Sequence, residues 1–410
     1  MGVASGLHDA SALAVTTGDL EQALQAHGGI RVAGDAAGET MPLVYFIQTG
    51  GVEENVIHRF HSRKQQGRDE PVLLVAHTGH NSLPASLEIL ARVRQEGGRG
   101  RIYLLRDVED EETLDEVVRT MRCLEANRRL AEDRIGQIGE ASDWLAASMQ
   151  RAEVVHHRFG TRMIGVPLAE LREGMGAGKG NAMAELSPEE RKIWDGATAH
   201  EGVTLEGFGR AMEVYRGLKE LVARYRLSAL TVRCFDLVQQ DGTTGCLALA
   251  RLADEGISAG CEGDVPTILL LRWLWHLTGR SAWMANPSNV NVETGEVRLA
   301  HCTVPLGLVE RYSFATHFES GLGVGIDGVW GRGPVTLLRL GGAELEKWWG
   351  AEGTLVEDQH EEDQCRTQVR VRLMPAAAAE LLENPLGNHL VMAPGHVRRL
   401  MAEAMGWLLP

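Results

Sequence analysis

At 410 residues the chain is long enough to bury a large core and to form two or three domains. Its 44% hydrophobic and 24% charged content excludes a fibrous or low-complexity class, and its 48 glycines predict many tight connections between elements. A formal charge of -15 argues against nucleic acid or an anionic membrane surface as partner, because an acidic surface repels phosphate.

Residues 1–40, rich in Gly and Ala, predict an irregular or loosely docked start. The apolar runs VYFIQTG (44–50) and PVLLVAHTG (71–79) end in Gly and polar residues, as buried parallel strands do, and a helical pattern follows each. After the second run, Asn81, Ser82 and Pro84 offer a helix start, and Leu87, Ile89, Leu90 and Val93 form one apolar stripe. RIYLL (101–105) is the next strand, and the acidic stretch from Asp107 opens a helix to about Glu132 that connects two domains. A strand at RIGQIG (134–139), a helix at DWLAASM (143–149) and a strand in TRMIGVPLAEL (161–171) then begin a second unit. Two such units predict two separate doubly wound domains.

GMGAGKG (174–180) invites a phosphate-loop reading that the spacing refuses. That loop needs Gly five places before the Gly-Lys pair and Ser or Thr after it, where this chain has Glu173 and Gly180. A hinge or loop is expected instead. Helices follow at 187–198 and 205–225, then a strand at SALTVRCF (228–235), a helix at TTGCLALARLADEG and a strand at ISAGCEGD. Asp236 and the pair Glu262 and Asp264 therefore fall just past the carboxyl ends of neighbouring strands, where open α/β sheets bind ligands. The apolar run ILLLRWLWHL is too short to span a bilayer and reads as a core helix. Beyond about residue 281, short strands with turns (VRLAHCTVP, FATHFESGLGVGI, PVTLLRLGG, GTLVED, CRTQVRVRL) predict an antiparallel β domain, closed by a helix at 396–408.

Three acids meeting at strand ends are costly to desolvate unless paired, hydrogen-bonded or bound to a cation, and oxygen ligands with one imidazole suit a hard divalent ion. His389, after a Gly-Asn turn, His301 and His317, in alternating strands, and His77 and His80, beside a strand end, are the imidazoles placed to contribute. Asn81 and Ser82 read equally well as helix start or as hydrogen-bonding partners of a ligand. The six scattered cysteines form no CxxC pair and follow no signal peptide, which predicts reduced thiols and a cytoplasmic location. Cys234, Cys261 and Cys302 read as packing residues, since no basic partner lies near them in sequence.

The motifs AHTGHNSLPASLEILARV, RIGQIG with DWL, LTVRCFDLV, AGCEGDVPT, MANPSNV, LAHCTVP, CRTQV and GNH, in that order, resemble the L-fucose and L-arabinose isomerase superfamily in its shorter, fucose-isomerase-like branch. The resemblance covers most of the chain. It implies two Rossmann- or flavodoxin-like domains (1–130 and 131–280) and a C-terminal antiparallel β-barrel-like domain (281–410). It also implies a cytoplasmic intramolecular oxidoreductase that interconverts an aldose and a ketose. Mn²⁺ is the implied ion, with Mg²⁺ or Co²⁺ as substitutes, held by Asp236, Glu262, Asp264 and His389. Glu262 and Asp236 are the expected acid/base pair, passing a proton between C2 and C1 through a cis-enediol. His80, Asn81, Ser82 and His301 are expected to bind the sugar, in a homotrimer or homohexamer with interfacial active sites. The arabinose enzymes carry a further His ligand where this chain has Val290 or Asn291, which favours the three-ligand arrangement. A sugar-binding protein and a sugar epimerase are the rival expectations for the same scaffold.

Overall fold

The computed structural model describes residues 1–6, 10–32, 42–68, 70–176, 186–358 and 360–408, in two compact units, Met1–Glu125 and Ala126–Pro410. Most of GMGAGKG, residues 177–180, lies outside the described residues.

The first unit is a parallel sheet of order β1-β2-β3-β4, formed by β1 (Gly2–Val3), β2 (Val44–Ile47), β3 (Val72–His77) and β4 (Gly100–Leu105). All six residues of β3 are buried, as an unbroken apolar run in a covered parallel sheet should be. With the sheet go α1 (Ala10–Ala26), α2 (Glu53–Gln65) and α3 (Ser82–Gln95), and α4 (Glu111–Glu132) leads out of the unit. Of residues 1–40, those at 7–9 and 33–40 lie outside the described residues, and the rest differ from expectation in forming a strand and a 17-residue helix. The strand is held by tertiary bonds that no local pattern announces, from the Met1 ammonium to Val44 O (2.7 Å) and from Ser5 N to Thr49 Oγ1 (2.8 Å).

The second unit opens with β5 (Arg134–Ile138), α5 (Ala152–Phe159), β6 (Arg162–Val166), α6 (Leu168–Gly176), α7 (Pro188–Gly196), β7 (His200–Glu201), α8 (Leu205–Tyr225) and β8 (Ala229–Val232). A single turn α9 (Cys234–Asp236) runs into a π-helical turn (Leu237–Asp241), then α10 (Cys246–Asp254), β9 (Ser258–Cys261) and α11 (Val265–Thr278). Its parallel sheet has the order β6-β5-β8-β9, so β8 and β9 are neighbours. The segment 143–149, expected as helix, is instead a run of turns, because its groups are committed elsewhere. Ser142 N, just before it, donates to Glu262 O (2.8 Å), Trp144 Nε1 donates to Glu262 Oε2 (2.7 Å) and Ser148 Oγ accepts from Arg339 (2.6 Å).

A closed antiparallel barrel follows, β10-β11-β16-β15-β14-β17, from β10 (Trp283–Asn291), β11 (Glu296–His301), β14 (Gly333–Gly341), β15 (Lys347–Asp358), β16 (Thr367–Leu373) and β17 (Leu390–Pro394). The strands β12 (Arg311–Ala315) and β13 (Gly325–Val329) join β7 in a small three-stranded sheet. The helices α12 (Pro375–Glu383) and α13 (Arg398–Gly406) complete the unit. One core cluster joins Trp283, Leu299, Leu337, Val371 and Met392 of the barrel to Phe208 and Met212 of α8 and Leu247 of α10. The class is α/β with parallel sheets and an antiparallel barrel. Among the described residues no helix is long and apolar enough to cross a membrane.

Candidate active site

At the end of β9 the chain must turn from strand to helix. Asp264 makes that turn possible, because its Oδ1 accepts from Thr267 N (2.9 Å) and caps α11, with Pro266 in the first turn. Glu262 and Gly263 reach the cap through left-handed backbone, φ 65° and 74°. A Cβ on residue 263 would lie 2.5 Å from Ala141 Cα, so glycine is obligatory there. Glu262 has no such exemption and holds a conformation that costs a side-chain-bearing residue about 1–2 kcal/mol. Strain of this kind persists where the surroundings over-determine a conformation.

Those surroundings are visible. Trp144 Nε1 donates to Glu262 Oε2 (2.7 Å), and Oε1 faces His389 Nε2 at 3.6 Å, close enough for charge attraction and too long for a hydrogen bond. On its other side His389 Nδ1 donates to Asp264 Oδ2 (2.8 Å). Arg339 of β14, 1% exposed, reaches the same carboxylate (Nη1 to Oδ2, 3.1 Å), and also bonds Thr267 Oγ1 and, at 2.6 Å, Ser148 Oγ. The result is a buried line, Arg339–Asp264–His389–Glu262, that ends at a cavity of about 590 Å³.

The electrostatics follow from that line. Burial alone raises the Asp264 pKa, but the Arg339 guanidinium and the His389 imidazole outweigh it and hold the carboxyl well below the usual range. Burial disfavours charge on His389, yet Asp264 and Glu262 raise it to about 9. Glu262 is pushed up by burial and brought below its ordinary value by His389 and the Trp144 N–H. His301 is the opposite case: burial and the nearby His389 charge lower it to about 3, so it is neutral. Its Nδ1 accepts from Thr303 N (3.1 Å), which assigns the proton to Nε2.

Barrel register brings the remaining groups together. Ala285 pairs with Leu390 across β10 and β17, so continuing that register places Asn286 opposite His389, and Asn286 itself pairs with Ala300, next to His301. A register shift follows at Pro287/Asn289, a bulge of the kind that re-aims side chains beside active sites. Glu262, Asn286, His301, His317, Glu319 and Asn388 line the cavity, with Trp144, Phe235, Phe318 and five of the six cysteines (Cys234, Cys246, Cys261, Cys302, Cys365). Cys234, Cys261 and Cys302, expected to pack, are buried and also form cavity wall.

Of the four expected ligands, Glu262, Asp264 and His389 come together and Asp236 does not join them. Asp236 turns to Arg233 Nε (3.0 Å), which also grips Asp143, and among the described residues no group of three or more His, Cys, Asp and Glu is arranged to hold a metal ion. Asp264 is consumed by Arg339, His389 and the helix cap. The donors left to hold a hard divalent ion are Glu262, Nε2 of His389 and Oδ1 of Asn286. The latter two atoms are buried with no hydrogen-bond partner, and Asp264 orients the His389 ring as outer carboxylates orient metal-binding imidazoles. In the first unit, His80 and Asn81, both left-handed, line a second cavity with Gly50, Gly51 and Glu53. Ser82 is committed to the fold: its Oγ accepts from His77 N (3.0 Å) and donates to Ile47 O.

Sequence reasoning missed Trp144, Asn286 and Arg339. Asn286 lies in MANPSNV and Trp144 in DWL, both noticed as patterns, but neither residue type signals proton chemistry by itself.

No family model matches the chain. It is similar to a sulfoquinovose isomerase of Alkalicoccus urumqiensis, 26% identical over 234 residues, covering 54% of this chain and 50% of that protein. It is also similar to a sulfoquinovose isomerase of Clostridium sp. (strain MSTE9), 22% identical over 234 residues, covering 57% and 52%. The chain thus spans about half the length of the curated relatives it matches.

Proposed function

We propose that the protein is an aldose–ketose sugar isomerase of the fucose-isomerase-like kind, with Glu262 as the carboxylate that moves the proton. The observation that carries this is the pairing, in one cavity, of a carboxylate held by a strained turn with a buried imidazole whose Nδ1 already accepts from Thr303 N. Glu262 takes the C2 proton of an open-chain aldose and returns it to C1. His301 Nε2–H gives its proton to O1 as the cis-enediol forms, and the same nitrogen takes back the O2 proton as the C2 carbonyl forms, so the imidazole ends neutral. In the ion-free protein a charged His389, fixed by Asp264 and Arg339, holds the negative charge of Glu262 beside it. With His389 neutral, its Nδ1–H kept on Asp264 and its Nε2 free, Glu262, Asn286 and His389 would hold a divalent ion such as Mn²⁺, which would supply Lewis acidity toward the carbonyl and the C2 hydroxyl.

The names of the two relatives make sulfoquinovose the first aldose to try. The full chain is incubated in D₂O with Mn²⁺ and, separately, sulfoquinovose, L-fucose, L-arabinose and D-glucose, and products are read by NMR. A ketose carrying solvent deuterium at C1 is expected from at least one sugar. Epimers without ketose, or binding without turnover, overturn the reading in favour of an epimerase or a sugar-binding protein. Bound Mn²⁺ should fall at least about tenfold in His389→Ala and in Asn286→Ala, a loss of about 1.4 kcal/mol in affinity. Retention in both places the ion elsewhere. The homotrimer or homohexamer implied by the family resemblance is tested by light scattering of the same sample.

A further inference from the structure

Trp144 does two things that a packing residue does not do together. Its indole N–H is spent on Glu262 Oε2 (2.7 Å), and yet 53% of the residue is exposed, at the wall of the cavity. The terminal torsion of a Glu side chain is broad and nearly two-fold, so a buried carboxylate needs a directed donor to fix which oxygen points where. Here the donor is anchored by the same short loop that holds the Glu262 backbone, through Ser142 N to Glu262 O (2.8 Å), with Leu145 buried beneath. The ring itself is set by Phe235, edge-on at 4.9 Å and 87°, and Phe235 meets His317 at 5.7 Å and 90°. The indole N–H of this aromatic assembly is committed to Glu262, and the exposed part of the ring is an apolar surface at the same cavity. A sugar has the matching division: hydroxyls that need Glu262, His301 and Asn388, and C–H faces that gain from leaving water against an aromatic ring.

We propose that Trp144 positions the Glu262 carboxylate through its indole N–H and, with its exposed ring face, forms the platform on which the C–H face of the sugar lies. This rests on the isomerase reading above. It makes the turn-rich segment around Trp144, rather than any strand or helix, the element that aligns the proton-transferring group with its substrate.

The two roles separate by substitution. Trp144→Phe keeps a ring and removes the N–H; Trp144→Ala removes both. On the aldose that turns over in the NMR screen, Trp144→Phe should lower kcat about 10- to 100-fold with KM changed less than about threefold, since a hydrogen bond to a charged group is lost while the stacking surface stays. Trp144→Ala should show the same kcat loss and a further rise in KM of about tenfold. A Trp144→Phe variant with wild-type kcat overturns the positioning role, and equal KM in the two variants overturns the platform. The hydrogen bond is tested without any sugar: in ¹⁵N-labelled protein the chain's nine tryptophans give nine indole N–H signals, and the one missing in Trp144→Phe should move in Glu262→Gln. If that signal is unchanged in Glu262→Gln, the positioning role is wrong whether or not the protein isomerises a sugar. If no aldose turns over but the signal moves, the isomerase reading fails, and the platform fails with it, while the positioning of Glu262 stands.

Discussion

The two ends of α11 carry the same three side-chain types in different circumstances. At its start, Asp264 meets Arg339 and His389; near its end, Arg272 and His276 meet Asp133 just before β5, at 2.8 Å and 2.7 Å. Both carboxylates are buried, and in both the pull of burial toward the neutral form is overcome by the imidazole and guanidinium. The helix from Asp264 to Arg272 and His276, about 12–18 Å, separates a cluster at the amino edge of the parallel sheet from one at its carboxyl edge. Only the second continues past its His, to a strained Glu and a cavity. An Asp–His–Arg cluster is therefore not a site by composition; the strand-end turn beyond it makes the difference.

That contrast is open to attack at several points. Glu262→Gln should lower turnover by about 10²- to 10⁴-fold, roughly 3–5 kcal/mol of barrier, with the melting temperature held; isomerisation above a tenth of wild type ends its catalytic role. Arg339→Met leaves Asp264 and His389 in the core without their third partner, and should destabilise the fold by about 3–5 kcal/mol in urea unfolding. A loss under about 1 kcal/mol shows that the line carries no such stake. Asp133→Asn should cost about 1.5–3 kcal/mol at neutral pH and leave turnover within about twofold. The sign of its pH dependence is fixed. The folded pKa of Asp133 is depressed, so its stabilisation is full above the ordinary carboxylate range and is lost as pH falls through the folded value, and the Asn variant should show a shallower acid limb in thermal melts. Smallest of all, Asp236→Asn at a part-exposed ion pair should cost about 0.2–1 kcal/mol and change turnover less than about threefold. A loss of a hundredfold there restores Asp236 as the second acid/base group.

Most of the parallel sheets was legible because buried strands such as β3 and β8 are largely apolar runs, and α8 over Leu205–Tyr225 matches its expected span to the residue. Where expectation failed, long-range bonds decided. The segment 143–149 has helix-forming composition, but its Trp144 indole and Ser148 hydroxyl answer to Glu262 and Arg339, far away in sequence. The two-residue β1 is too short to show a period.

By itself the sequence determined that acidic groups lie at the ends of adjacent strands, that a glycine follows Glu262, and that imidazoles stand near the barrel strand ends, because strand periodicity and turn chemistry are local properties of the chain. Tertiary structure decided which acids matter. Asp236 has Arg233 three residues away and satisfies its charge locally, whereas Asp264 finds Arg339 and His389 only once the barrel closes, and Glu262 is aimed only because the 139–150 segment packs against its turn. Charge pairing across 75 and 125 residues leaves no local trace for composition or spacing to reveal.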